Sequence, residues 1–313
     1  MSSTLDQARL THLQTWQGRS DTLEDVVTAA PLRGLSATLD RDDPPPTHGS
    51  ELPPLWHWLF FLPQALQSEI GPDGHAQRGG FLPPVPLPRR MWAGGRLQWH
   101  QPLRVGDAVK RVSTIQSIQH KTGRTGELLF VVVAHEVFNQ HGLCLREEHD
   151  IVYRPAARAD DPVIAATPAP IVSVKPQPFA GNAPDVDTLS GTSPPVWQHD
   201  WVPDEVMLFR YSALTFNGHR IHYDRDYCHD VEGYPGLVVH GPLMATLLLD
   251  VVRRHTDRHV TQFAFKALRP TFECNDQRAL RVSAQLDADG HSVQLWAQDH
   301  EGWLTMQATA MLA

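Results

Sequence analysis

Three histidines and one asparagine lie close together in the second half of the sequence. They are His219, His222, His240 and Asn217, in the stretch YSALTFNGHRIHYDRDYCHDVEGYPGLVVHGPL that begins at Tyr211. Histidine is the side chain best suited to proton transfer near neutral pH. Adding water to, or removing it from, a double bond α,β to a carbonyl needs one proton moved at each carbon. The stretch therefore predicts acid–base chemistry of this kind.

A Gly-Pro pair, Gly241-Pro242, directly follows His240 and predicts the start of a helix. Proline suits the first helical turn, because the amide hydrogen that it lacks has no partner within the helix. The free amides at a helix N-terminus donate hydrogen bonds, and the helix dipole favours an oxygen that gains negative charge. We expect the backbone amide of Gly241 to bind the substrate carbonyl in this way.

Each of these residues, taken alone, has an ordinary structural explanation. Most histidines in a chain that has 18 of them lie at the surface or cap a helix. Tyr211 and Tyr223 are typical of packing, and Arg220 is typical of a solvated surface. The cluster as a whole favours a functional site, because three histidines before a helix that begins with glycine are hard to explain by packing.

The stretch resembles the MaoC-like hot-dog hydratases and dehydratases, whose signature has a His-x-Asp pair and, further on, a His-Gly helix start. The first part matches Ile221-His222-Tyr223-Asp224 and the second matches Val239-His240-Gly241. More narrowly, FNGHRIHYD is similar to the branch that contains hydroxyacyl-thioester dehydratase type 2, mesaconyl-C4-CoA hydratase and itaconyl-CoA hydratase. The resemblance is close over residues 211–243 and elsewhere extends only to length and a duplicated layout.

The resemblance implies roles for individual residues. The catalytic histidine of the family falls on His222, and its backbone amide donor falls on Gly241. Most members have an aspartate that activates water where this chain has Asn217, and they have asparagine where it has His219. An amide orients a water molecule but cannot take its proton. His222 is then the main general base, Asn217 positions the water, and His219 is a second proton carrier.

The other polar residues of the motif are expected to serve the substrate or the histidines. Arg220 is a candidate for binding a distal carboxylate, because its guanidinium fork suits that group. Tyr223 and His240 are further candidates for substrate binding. Asp224 either holds an imidazole in its productive tautomer or caps a helix.

The resemblance also implies a substrate. It is an enoyl-CoA, and within the branch a short branched dicarboxylic one, mesaconyl-CoA or itaconyl-CoA, which gives citramalyl-CoA. Two alternatives stay open: a hot-dog thioesterase, which generally uses a carboxylate and lacks the histidine-rich pattern, and a silent acyl-CoA binding module, which the missing aspartate would suit. No cofactor or metal is expected other than the coenzyme A of the substrate.

A helix and a sheet are expected to position the motif. The helix begins at Gly241 and is predicted to be amphipathic, with Met244, Leu247, Leu248 and Val251 on its apolar face and Thr246, Asp250, Arg253 and Arg254 opposite. Strand-like runs occur twice in the same order, at 110–119, 128–138 and 144–153 and again at 280–286, 292–299 and 303–312. We therefore predict an α+β double hot-dog fold, with two curved antiparallel sheets that each wrap a central helix.

Composition divides the chain into two halves. A proline-rich linker at 156–196 separates an N-terminal hot-dog half, 1–155, from the catalytic half, 197–313. Nothing like NGHRIH occurs in the first half, whose helix is placed either at 23–39 or at 55–67. The second of these carries packing residues but also a helix-breaking proline: Trp56, Trp58, Phe60, Phe61 and Leu66, with Pro63.

Charge and cysteine content limit the partners. The 313 residues carry a net charge of −8, which disfavours nucleic acid and anionic membrane surfaces, and the sequence contains no run long and apolar enough to span a bilayer. Three separated cysteines predict neither a disulfide framework nor a zinc site, which fits the cytoplasm. An acyl-CoA is the expected partner, and the sequence leaves a homodimer open.

Overall fold

The computed structural model describes residues 5–123, 126–156, 166–170, 196–274 and 279–313. Its helices are α1 (Gln7–Gln14), α2 (Ala29–Thr38), α3 (Glu205–Thr215), α4 (Arg225–Asp230) and α5 (Gly241–Arg253). The strands are β1 (Ser20–Val26), β2 (Arg89–Trp99), β3 (Ala108–Gly123), β4 (Gly126–Asn139), β5 (Gly142–Arg154), β6 (Val196–Trp201), β7 (Val260–Ala267), β8 (Leu280–Leu286), β9 (Ser292–Gln298) and β10 (Leu304–Leu312).

All of these strands form one antiparallel sheet in the order β1-β3-β4-β5-β2-β7-β10-β9-β8-β6. Each half of the chain contributes five strands. The order β1-β3-β4-β5-β2 in the first half matches β6-β8-β9-β10-β7 in the second, so the duplication predicted from the strand pattern is present. The two halves of the sheet are joined edge to edge, because β2 pairs with β7.

Two glycines allow the halves to meet. At the junction Gly94 pairs with Lys266 and Gly95 pairs with Phe265. A Cβ atom on Gly94 would lie 2.4 Å from the carbonyl oxygen of Phe265, and one on Gly95 would lie 3.0 Å from that of Glu148. Because both neighbours are backbone atoms held in the sheet, only glycine permits this approach.

The helix predicted from the sequence is α5, and its polar face is buried as well as its apolar one. Thr246 and Asp250, on the polar face, are 3% and 2% exposed. Asp250 is buried because it forms ion pairs with Arg41 of the first half, at 2.8 Å, and with Arg254, at 2.6 Å. The polar face of α5 therefore meets partners in the protein instead of water.

The first half contains a helix within 23–39, namely α2, and only a 3₁₀ turn, Trp56–Leu59, within 55–67. Trp56, Phe60 and Phe61 are buried as predicted, whereas Leu66 is 66% exposed and does not pack. Glu147 of β5 holds the turn against the sheet. Its carboxylate accepts hydrogen bonds from the side chains of His57 and Trp58. This aromatic segment fills the first half of the core.

The six predicted strands correspond to β3, β4, β5, β8, β9 and β10. Strands β1, β2, β6 and β7 and helices α1, α3 and α4 were not predicted, because their patterns are weaker. Within the predicted linker, Pro168 bridges Trp303 and Leu304 donates to Thr167, so 166–170 lies along the β9–β10 turn. The rest of the linker up to 195 lies outside the described residues, and β6 begins at Val196.

The junction predicts a stability effect. Gly94→Ala should destabilise the protein by about 1–3 kcal/mol, because its Cβ meets the Phe265 carbonyl and neither strand can move without losing sheet hydrogen bonds. Denaturant unfolding measures the effect. Gly80→Ala is the matched control, since a Cβ there meets nothing within 4 Å. Equal stability of the two variants would contradict this account of the junction.

Candidate active site

The motif predicted to do chemistry spans α3 to α5. Phe216 follows the last residue of α3, and its left-handed conformation (φ 48°) turns the chain. The amide of Asn217 then donates a hydrogen bond back to the Ser212 carbonyl. A 3₁₀ turn, Arg220–His222, follows, and an extended strip at 237–239 then leads into α5. The strip lies between the 3₁₀ turn and residues 271–273, through backbone hydrogen bonds to both.

His222 is a buried imidazole with one nitrogen already occupied. Its Nδ1 lies 2.7 Å from the carbonyl oxygen of Val238, so Nδ1 carries the proton and donates. The lone pair is therefore on Nε2. Burial lowers the pKa of His222 to about 4, and the hydrogen bond to Val238 opposes that effect only in part. At neutral pH the ring is uncharged and able to accept a proton.

His240 lies directly under His222. The two rings stack with centroids 3.6 Å apart, and Nε2 of His240 is 2.8 Å from the hydroxyl oxygen of Ser212. His240 is completely buried, and burial holds its pKa well below the usual value. We predicted that His240 binds substrate; the structure places it beneath the catalytic candidate, where it fixes the plane of the His222 ring.

Asn217 and His219 lie together in the turn before His222. The side-chain oxygen of Asn217 accepts a hydrogen bond from the backbone amide of His219 at 3.0 Å, which leaves the Asn217 amide group for another partner. The His219 ring packs edge-on to His222 with centroids 5.4 Å apart. Burial and neighbouring histidines lower the pKa of His219 to about 2, so this ring is also neutral.

A turn of the first half brings two residues that the sequence analysis missed. His75 lies against His219 with ring centroids 4.0 Å apart, and Nδ1 of His75 is 3.1 Å from Oδ2 of Asp73. Pro72-Asp73-Gly74 is a recognisable turn sequence. Nothing in it indicates a contact 144 residues away (219 minus 75).

Side chains able to bind a metal ion are grouped once in the described part of the chain, at Asp73, His75 and His219. Their ligand atoms all lie within 4.8 Å of one another. Asp73 and His75 are already joined by a hydrogen bond between Oδ2 and Nδ1, at 3.1 Å. The structure therefore shows a hydrogen-bonded acid–imidazole pair at this place.

Arg220 and its neighbours stabilise the turn. The Arg220 guanidinium pairs with Asp224 at 2.8 Å, donates to the Pro72 carbonyl and lies over the Tyr227 ring. Asp224 also accepts from the Tyr227 amide, so of its two predicted roles the structure shows the helix cap. Tyr223 donates to the Gly218 carbonyl and is about half exposed. Binding of a substrate carboxylate by Arg220 would require it to leave Asp224.

Gly241 is the first residue of α5 and has free space beside it. A Cβ atom added there would meet no heavy atom within 4 Å. The amide of the first helical residue has no partner within the helix. Gly241 directly follows His240, whose ring is stacked on that of His222.

A family model for hydroxyacyl-thioester dehydratase type 2 matches residues 55–273, more than half of the chain. The chain belongs to this family. It is 44% identical over 298 residues to mesaconyl-C(4)-CoA hydratase of Chloroflexus aurantiacus, covering 95% of this chain and 96% of that protein. It is 28% identical to the mitochondrial hydroxyacyl-thioester dehydratase type 2 of Schizosaccharomyces pombe, covering 80% and 86%. The relatives do not favour the thioesterase or the silent binding module.

Solved structures agree on the fold. A MaoC-like dehydratase superposes with a TM-score of 0.64 at 15% identity, covering 96% of this chain and 99% of that one. A conserved hypothetical protein of Mycobacterium tuberculosis, described as a double hotdog fold, gives 0.56 at 15% identity and covers 97% and 98%. These likenesses confirm the double hot-dog prediction. In the described chain, no helix is long and apolar enough to cross a membrane.

The buried histidines predict a loss of stability in acid. Burial lowers the pKa of His222 and of His135 to about 4, whereas an unfolded histidine titrates near its ordinary value. Between those values the unfolded chain binds more protons, so stability falls as pH drops below about 6.5. Each such histidine should cost about 1–2 kcal/mol at pH 5. Urea unfolding at pH 7.5 and 5 measures this, and equal stabilities would contradict the neutral assignment.

Proposed function

We propose that the protein is a hydro-lyase that adds water to, or removes it from, the α,β double bond of an acyl-CoA thioester. The observation that carries the proposal is the state of His222: neutral, buried, and held through Nδ1 by Val238 so that Nε2 is free to take a proton. Its ring stacks on that of His240, the residue before Gly241, whose amide is the proposed carbonyl-binding donor. A base and a carbonyl-binding donor are the two groups that the reaction needs.

Hydration then proceeds as follows. His222 Nε2 takes a proton from water as the water oxygen bonds to the β carbon of the substrate. The electrons of the double bond move to the thioester oxygen, where the Gly241 amide stabilises the enolate. The same proton passes from His222 to the α carbon, and the ring returns to its neutral state. Asn217 orients the water through its free amide group, and dehydration is the reverse sequence.

A short branched dicarboxylic enoyl-CoA is the substrate that we propose, with mesaconyl-CoA first and itaconyl-CoA second, each giving citramalyl-CoA. Support comes from the relative that is named for mesaconyl-C(4)-CoA and aligns over nearly the whole chain. Acid–base groups of the protein supply the chemistry, so no cofactor is needed other than the coenzyme A of the substrate.

The proposal extends to assembly and location. Apolar side chains on and just after α3 are exposed, with Val206 at 58%, Phe209 at 64% and Phe216 at 63%, and a second copy of the chain would cover them. We therefore favour a homodimer.

The buried cysteines are free thiols, which suits the reducing cytoplasm: Cys144, Cys228 and Cys274.

The function is tested by mixing the protein separately with mesaconyl-CoA, itaconyl-CoA and crotonyl-CoA. The enoyl-thioester absorbance should fall without release of free thiol, and fastest with a dicarboxylic substrate. His222→Ala should lower kcat by about 10²- to 10⁴-fold, the usual contribution of general acid–base catalysis. His229→Ala is the control, because His229 is 80% exposed and, among the described residues, pairs with its neighbour Asp230 alone. A folded His222→Ala protein with normal turnover would eliminate His222 as the base.

Gly241→Val tests the carbonyl-binding amide. The valine side chain would enter the free space that the thioester must occupy, so the barrier should rise by about 2.7–4 kcal/mol if one donor contact is lost. Since no protein atom lies within 4 Å of the new Cβ, folding should be preserved, and thermal unfolding checks this. Unchanged kcat in the folded variant would move the carbonyl-binding donor elsewhere.

A further inference from the structure

The histidines of the motif lack a carboxylate of their own. Asn217, the motif residue proposed to orient the water, carries an amide and no acid. In the described residues no carboxylate is hydrogen-bonded to His219 or His222, and Asp224 is engaged by Arg220 and the Tyr227 amide. A proton held on a buried imidazole is costly without a nearby negative charge. A carboxylate elsewhere would remove this cost.

The turn at 70–76 of the first half is docked tightly on the motif. Gly74, at φ +89°, approaches so closely that a Cβ atom there would lie 1.8 Å from the carbonyl oxygen of Gly218. The backbone amide of Arg220 donates to the Asp73 carbonyl at 2.9 Å, and its side chain donates to the Pro72 carbonyl at 3.1 Å. These contacts fix the turn relative to His219.

Within the turn, Asp73 orients His75 through two hydrogen bonds. Oδ1 of Asp73 accepts from the backbone amide of His75 at 3.0 Å, and Oδ2 accepts from Nδ1 at 3.1 Å. Nδ1 therefore carries the proton and the lone pair is on Nε2. The hydrogen bonds from His75 outweigh the effect of burial and hold the pKa of Asp73 far below its usual value, so the carboxylate is ionised.

The His75 ring connects this carboxylate to the motif. It lies 4.0 Å from the His219 ring, which in turn lies edge-on to His222. The positive charges of Arg78 and Arg90 lower the proton affinity of the His75 ring, and Arg90 also lowers that of the His219 ring. The negative charge of Asp73 raises the proton affinity of both rings.

We propose that Asp73 and His75 supply to the active site the carboxylate function that Asn217 lacks. His219 accepts a hydrogen bond from the reacting water, and His75 holds the His219 ring in place. The charge of Asp73 offsets the positive charge that appears on the histidines while His222 holds the water proton. No further proton donor or acceptor is consumed, since the proton taken from water is returned to the α carbon. This inference rests on the proposed hydro-lyase function.

The test is a double-mutant cycle with Asn217→Asp. Asp73→Asn and His75→Gln should each lower kcat by about 10- to 100-fold with little change in KM, because they act on the charged transition state. Asn217→Asp alone gives the reference kcat of the cycle. In that background Asp73→Asn should lower kcat by no more than a few-fold, since a carboxylate then already lies at the water. A purely structural role for Asp73 predicts no such rescue.

Controls separate the possible failures. Asp230→Asn breaks an exposed His–Asp pair of the same type, 2.8 Å between His229 and Asp230, and should have no effect. If His222→Ala abolishes hydration while Asp73→Asn and His75→Gln keep wild-type kcat, the inference fails and the proposed function stands. Absence of rescue by Asn217→Asp in a folded protein also overturns it. Should Asp73→Asn not fold, the cycle is run on His75→Gln, and absence of hydration by the wild type overturns both proposals.

Discussion

The hydrogen bond from Nδ1 of His222 to the Val238 carbonyl determines what the site is able to do. It decides which nitrogen bears the lone pair, and burial decides that the ring stays neutral. The strip that contains Val238 is itself fixed on both sides. The Val238 amide donates to the Ile221 carbonyl, and the Val239 amide donates to the Thr271 carbonyl. The orientation of the base therefore depends on backbone contacts on both sides of the strip.

The two halves of the chain contribute unequally to chemistry but jointly to the site. The first half has no histidine motif, yet its Arg41 neutralises the buried Asp250 of α5, the helix that begins at Gly241. Its turn at 70–76 docks on the motif, and its aromatic segment fills the core beside Glu147. The first half therefore supports the site although it carries no motif of its own.

Sequence reasoning reached the parts of the molecule that depend on local pattern. The run 280–286 coincides with β8, the helix from Gly241 was placed correctly, and the duplicated layout was recognised. It failed where distant residues decide the outcome. The burial of Asp250 depends on Arg41, 209 residues away, which pairs with it. Strand β2 was not predicted; its Gly94 and Gly95 weaken the strand pattern and leave room for β7.

The same distinction between local pattern and distant contacts holds for the candidate site. The roles of His222 and Gly241 were predicted from a motif contiguous in sequence, and these two assignments remain predictions that the geometry supports. The support beneath the base, His240 on Ser212, depends on how α3 packs under α5 and could not be read from spacing. Asp73 and His75 lie in a different half, so only a structure brings them to His219.

The placement of the carboxylate is also consistent with a dicarboxylic substrate. An aspartate at position 217 would add a negative charge at the reacting water, where it would repel a second carboxylate of the substrate and raise KM. Asparagine orients water without that repulsion. Asp73, separated from the motif by the His75 and His219 rings, would keep its negative charge near the histidines and farther from the acyl group. In the proposed mechanism the charge of Asp73 thus assists proton transfer without opposing the binding of an anionic acyl chain.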